Sequence, residues 1–255
     1  PTLGEDFHTT DEGTPMNFSM DYDNYGQRDL FVADAEVSER VAFIRRVYAH
    51  VGGATAFCVA LIAIILNTPS IIQPLVGVFA GQFWMFFIAF FIASTAAHKM
   101  AEAKANPGLQ YAGLGFYAFA EALLLAPMLW IIKTHFGGDA VIMQAAIFTL
   151  MIFGGLTMFV LVTKSDFSFM RNFLAIASFA VLGLIVVSFL TPLSLGTWFA
   201  GGMVLLMSGF ILWETSNVLH HYQTDQHVAA SLAIFSSLAT LFWYVLQLSA
   251  ALSSD

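Results

Sequence analysis

Charge is scarce in this sequence: 10% of its 255 residues are Asp, Glu, Lys or Arg, against 58% that are hydrophobic. A water-soluble domain of that size cannot hide so much apolar side chain in one core, so the chain reads as an integral membrane protein. Its single cysteine, Cys58, excludes an internal disulfide and reads as a small core or lipid-facing side chain within an apolar segment. No lysine follows Lys164, which excludes a retinal Schiff base on the last apolar segment. Residues 1–40 lack the basic start and apolar run of a secretory signal, so the first apolar segment is expected to stay in the mature protein. Polar and apolar residues do not alternate along the apolar runs, which excludes a β-barrel. No nucleic-acid partner is expected.

What is present is a series of long apolar runs. Seven stretches, about 47–67, 75–97, 111–132, 141–163, 172–190, 197–217 and 228–252, approach or exceed the roughly 20 residues a helix needs to cross a bilayer. They are separated by turn-forming sequences: NTPS, ANPG, FGGD, TKSD, TPLS and HYQTD. The expected fold is an all-α bundle of seven transmembrane helices, occupying residues 47–252, with the lipid bilayer as its solvent. The glycine pairs Gly52-Gly53, Gly154-Gly155 and Gly201-Gly202 fall in or near spans, where small residues let helices approach, and close packing is their expected role.

Ten of the seventeen acidic residues lie between Glu5 and Glu39, so the net charge of −8 belongs to an N-terminal tail. Residues 1–33 have too little aliphatic content to build a core and are expected to be extended in isolation. Phe18, Tyr22, Tyr25 and Phe31 punctuate the tail and are candidate contacts for a membrane-protein partner. Residues 34–46 carry Val37, Val41, Phe43 and Ile44 near helical spacing, either as an interfacial helix or as an extension of the first span. Eight of the nine basic residues, Arg28, Arg40, Arg45, Arg46, Lys99, Lys104, Lys164 and Arg171, flank one set of span ends, and only Lys133 falls at the other. Positive charge is retained on the cytoplasmic side, which places the N-terminus in the cytoplasm and the C-terminus outside.

An ionisable side chain inside a span is costly, and its retention points to function. Glu121, about ten residues into the third span and six before Pro127, is one such residue; Glu214, near the cytoplasmic end of the sixth, is the other. Each is a candidate for an ion path or gate, and a helix-to-helix hydrogen bond is the structural alternative. His98, His220 and His221, with Asp225 and His227, fall at cytoplasmic span ends, where groups that titrate near neutral pH can line a mouth. The HHYQTDQH stretch lacks the i, i+4 pair of a zinc helix, and neither metal nor any other cofactor is expected. Two acids on different spans could in principle activate water. Neither sits in a glycine-flanked or histidine-rich motif, so no enzymatic activity is expected.

Four stretches, taken in order, resemble the Bax inhibitor family, whose bacterial members include the modulator of the FtsH protease. They are FIRRVYAHV entering the first span, FYAFAEALLLAPM in the third, LVTKSDFSFMRNFL between the fourth and fifth, and ILWETSNVLHHYQTDQHVAASLAIFSSLATLFWYVLQLSA running to the C-terminus. The resemblance implies a bundle with its last helix central and a place in a bacterial inner (cytoplasmic) membrane. For some members it also implies a pH-sensitive calcium leak closed by two acids on the last two spans. The first of these falls at Glu214; the second falls at Ser237, within IFSS, so a shared-proton carboxylate pair cannot form there. Two functions therefore stay open. One is a passive leak for calcium or protons, with Glu214 and Ser237 as a weakened gate and Glu121 and Asp166 along the path or at its mouth. The other is a non-catalytic accessory subunit or regulator, held in a larger membrane assembly through residues 1–33.

Overall fold

The computed structural model describes residues 31–103, 106–191 and 195–253. Eight helices are present among them: α1 Val37–Leu66, α2 Pro69–Gly81, α3 Phe83–Ala101, α4 Pro107–His135, α5 Gly138–Thr163, α6 Met170–Leu190, α7 Gly196–His220 and α8 His227–Ser253. All but α2 are long and apolar enough to span a membrane, so the chain is an all-α protein with seven candidate spans. One end of the bundle gathers Arg40, Arg45, Arg46, Lys99, Lys164 and Arg171 and is called the basic end below.

Two boundaries differ from those read in the sequence. The helix of the first span begins at Val37 and runs unbroken to Leu66, so Val37–Arg46 and the apolar run that follows form one rod. The expected second span at 75–97 is interrupted: Gln82, at φ −141° and ψ 49°, leaves the helical region and divides α2 from α3. Other ends follow their local chemistry. Pro107 opens α4 at a position whose N–H would be unpaired anyway, and the Asn106 side chain accepts from the Leu109 amide at 3.2 Å. Gly137 and Gly138, at φ +87° and +71°, make the tight turn between α4 and α5 that a Cβ would strain.

The core is organised by small and aliphatic residues at three- and four-residue spacing. On α1 the sequence Phe43, Val47, Val51, Ala54, Cys58 and Ile62 forms one buried seam. α8 is the centre of the bundle: 61% of its most apolar window is buried, α4 beside it reaches 56%, and α3 and α6 only 6% each. α6 packs against α7 alone, and Leu174 is its one deeply buried side chain among those described.

The three glycine pairs do not serve the close packing expected of them. A Cβ built on Gly52, Gly53, Gly154, Gly155, Gly201 or Gly202 meets nothing within 4 Å, so these positions look onto open space. The close approach is made by Gly113 of α4, where a Cβ would lie 2.7 Å from the Ala97 carbonyl oxygen and 2.9 Å from the Ala101 nitrogen of α3.

Candidate functional site

Glu214 sits on α7 six residues before its last residue, His220, or about 9 Å along the helix axis. The side chain points into the bundle and is buried. Its hydrogen-bond partner is the hydroxyl of Ser237 on the central helix α8. Its Oε2 is buried with no partner among the described residues. The adjacent Thr215 is fully buried and accepts a long hydrogen bond, 3.5 Å, from the Tyr48 hydroxyl of α1. Thr157 of α5 approaches the same phenol without completing a hydrogen bond of its own. Side chains of α1, α5, α7 and α8 thus converge on one polar spot in an apolar interior.

Glu121 stands midway along α4, fourteen residues after Pro107 and fourteen before His135. It is almost completely buried, with the Tyr117 hydroxyl one turn earlier as its hydrogen-bond partner, and its Oε2 is likewise unpartnered. Tyr117 lies within electrostatic range of both carboxyl groups. Its ring is held by edge contacts with Phe90, His98 and Phe235 at 5.7–5.8 Å. Glu121, unlike Glu214, lines a cavity of about 660 Å³ bounded by α3, α4, α6, α7 and α8.

Asp166 is exposed at the basic end rather than inside the bundle. Its Oδ1 accepts from the Ser168 amide at 2.8 Å, and that amide holds the carboxyl below its ordinary range, with the Ser168 hydroxyl and the histidines His221 and His220 adding to the effect. Ser216, fully buried two residues after Glu214, accepts from the Phe167 amide at 2.9 Å and donates to Asp166 at 3.4 Å. The Thr-Lys-Ser-Asp-Phe-Ser loop is in this way pinned to the helix that carries Glu214.

The candidate mouth residues divide into three places. His220 and His221 stack edge to face at 6.2 Å near Asp166. His98 packs on Tyr117 and shares a 2.9 Å contact between its Nδ1 and the Ser94 carbonyl. Asp225, its Oδ1 buried and unpartnered, accompanies His227. His227 in turn contacts the Tyr111 hydroxyl at 3.1 Å and the ring of His50 at 5.3 Å. Among the described residues, no three His, Cys, Asp or Glu side chains are grouped to hold a metal ion.

Of the tail aromatics, Phe18, Tyr22 and Tyr25 lie outside the described residues. Phe31 forms an isolated antiparallel bridge with Gln223 and leaves its ring 47% exposed. The Val32 amide donates to the Tyr222 carbonyl at 2.9 Å, and Arg40 donates back to the carbonyls of Val32 and Ala33. Residues 31–35 are thereby strapped across the α7–α8 loop. Tyr222 in that loop is enclosed, and burial pushes its phenol above the ordinary range, with the charges of Glu214 and Glu102 adding to the shift.

Sequence reasoning missed Tyr48, Thr157, Thr215 and Tyr117 around the acids, and His50 and Tyr111 at the basic end. The first four are neutral hydroxyl groups inside apolar runs and carry no charge signal. A search for hydroxyl side chains at the depth of each acid could have found them.

The family profile described as Inhibitor of apoptosis-promoting Bax1 matches residues 40–254. Bax inhibitor 1 of Schizosaccharomyces pombe is 26% identical over 227 residues, covering 88% of this chain and 82% of that protein. An uncharacterised protein of Pseudomonas aeruginosa is 28% identical over 224 residues, with 87% and 95% covered. The Golgi anti-apoptotic protein of vaccinia virus (strain Lister) is 28% identical over 235 residues, with 88% and 90% covered.

Proposed function

Because the chain belongs to the Bax inhibitor family, we propose that it is a passive cation leak in the inner membrane of a bacterium, closed at its basic end by Glu214. The observation that carries this reading is the burial of two carboxyl groups, Glu214 and Glu121, each with an oxygen that no described group satisfies. Such oxygens are costly to bury and are retained where a cation or proton visits them. Tyr117 hydrogen-bonds Glu121 and lies within electrostatic range of Glu214, and a cavity opens beside Glu121. The ion is calcium or a proton, the basic end faces the cytoplasm, and the protein is not an enzyme.

Ser237 gives the gate its character. A hydroxyl donor can hold the Glu214 carboxyl across the α7–α8 interface but cannot share a proton with it as a second acid would. The closure is therefore a single-acid latch. Its test is flux in proteoliposomes: Glu214→Gln, which keeps the shape and removes the charge, changes calcium or proton flux relative to the unaltered protein. Flux no greater than that of empty vesicles, for both ions and both proteins, contradicts the reading.

A second reading is favoured by Phe31. Its exposed ring stands on the strap at the basic end, where the acidic segment bearing Phe18, Tyr22 and Tyr25 begins. An aromatic anchor beside an acidic tail suits docking on a partner membrane protein. In this reading the chain is a non-catalytic accessory subunit or regulator. Removal of residues 1–33 then releases the partner during purification in mild detergent, and continued co-purification argues against it.

A further inference from the structure

The cavity at Glu121 is mostly apolar, with Glu121 its one charged group among the described residues and Thr197, Tyr244 and Gln247 as further neutral polar side chains. The hydroxyls of Ser178, Ser188 and Thr240 on its wall already donate to carbonyls of their own helices, Leu174, Ile185 and Ser236, at 2.7–2.8 Å. Among the described residues, Glu121 is the wall's one carboxylate, its Oε2 lacks a donor, and no Lys, Arg or His lines the cavity. The rest of the surface is rich in aromatic faces, among them Phe90, Phe199, Trp243 and Tyr244. The volume, about 660 Å³, falls in the range of sites that enclose a small organic molecule.

The cavity also has a way in from the bilayer. α3 contributes Phe83 and Phe87 to one wall and α6 contributes Leu182 and Ile185 to another, yet among the described residues these two helices do not pack against each other. Both are candidate spans, so the space between them would open toward lipid. A molecule that partitions into the membrane can pass through it without first crossing water.

We propose that this cavity binds lipophilic amines in their protonated form, with an N–H donated to Glu121 Oε2 and the apolar body against the aromatic walls. The charge of such a ligand offsets the carboxylate's, and its N–H supplies the missing donor. The aromatic faces offer the cation a second attraction. An anion of the same shape is repelled by Glu121 and finds no basic group among the described residues, only the neutral donors of Thr197, Tyr244 and Gln247. This site does not depend on ion flux and stands or falls apart from it.

The test uses the full chain in lipid nanodiscs and Trp243 as the reporter. The probes are a bromophenyl-alkyl amine and the alcohol and carboxylate of matching shape, whose bromine quenches tryptophan emission on contact. Partitioning into lipid produces a non-saturable background through the exposed Trp84 and Trp198; the site produces a saturable component that Trp243→Phe removes. The amine should bind more tightly than the alcohol, and the carboxylate should show no saturable quenching. Glu121→Gln should raise the Kd of the amine about tenfold or more, as expected for loss of a charge-assisted hydrogen bond, and leave that of the alcohol nearly unchanged. Should Glu121→Gln fail to fold, the ranking on the unaltered protein decides alone. Equal quenching by amine and carboxylate, absence of a Trp243-dependent component, or an amine Kd indifferent to Glu121→Gln in folded protein overturns the proposal. In the last three cases a flux that persists leaves the leak reading in place.

Discussion

Replacing Gly113 and Gly115 of α4 by alanine, one at a time, separates helix packing from helix propensity. The two positions lie two residues apart on one helix, so the intrinsic gain from Gly to Ala, at most about 1 kcal/mol, applies to both. Their surroundings differ. At Gly115 an added Cβ meets nothing within 4 Å, whereas at Gly113 it would lie 2.7 Å from the Ala97 oxygen, 2.9 Å from the Ala101 nitrogen and 2.9 Å from the Met100 Cβ. Two of those atoms are backbone, and real Cβ atoms do not sit so close, so α3 must move away. Overpacking of this kind costs roughly 1–3 kcal/mol, which leaves Gly113→Ala destabilised by up to about 2 kcal/mol net. With about 2–4 °C of Tm per kcal/mol for a chain of this size, Gly113→Ala should lower the Tm by up to about 8 °C and Gly115→Ala should raise it slightly. Scanning fluorimetry in one detergent at one concentration measures both. Equal shifts of the same sign would refute the packing assigned to the α3–α4 interface.

Ser216→Ala leaves the half-buried Phe167 amide without its acceptor; a fully buried orphaned amide costs about 1–3 kcal/mol and this one less, so Tm falls, and hydrogen exchange quickens first in the loop between α5 and α6. Arg40→Met removes the donors that hold the carbonyls of Val32 and Ala33; exchange at the Val32 amide should speed up without loss of helicity, and unchanged protection there would show that the strap does not depend on Arg40. Asp166 has its carboxyl pKa lowered in the fold, so its contribution is present above the ordinary aspartate value of about 4 and is lost as pH falls through the folded value. The Ser168 amide should accordingly lose protection at acid pH, and Asp166→Asn should abolish that pH dependence.

The spans were legible because a bilayer selects length and hydrophobicity, both of which a sequence displays directly. Glu121 and Glu214 were legible for the complementary reason that a carboxylate in such a run is conspicuous. Which face of each span turns inward was not. In a soluble helix the polar face marks the outside, but here core and lipid-facing positions are equally apolar, so Gly113 cannot be told from Gly115 by its neighbours. The break at Gln82 was hidden likewise, since VGVFAG and FWMFF read as one continuous run. The histidines stand at helix ends, but their division into three separate places depends on helix order around α8. The partnership of Glu214 with Ser237 came from the family resemblance; spacing alone does not bring residues on two helices together.

The central claim is that Glu214 faces the bundle interior against Ser237 and not the lipid. In a Cys58→Ser background, Glu214→Cys and Ser237→Cys together should be joined by a short bifunctional thiol reagent, detected as one intact crosslinked peptide after proteolysis, and Glu214→Cys alone should resist a maleimide confined to the lipid phase. Absence of the crosslink together with rapid labelling of the single variant from lipid would contradict the account.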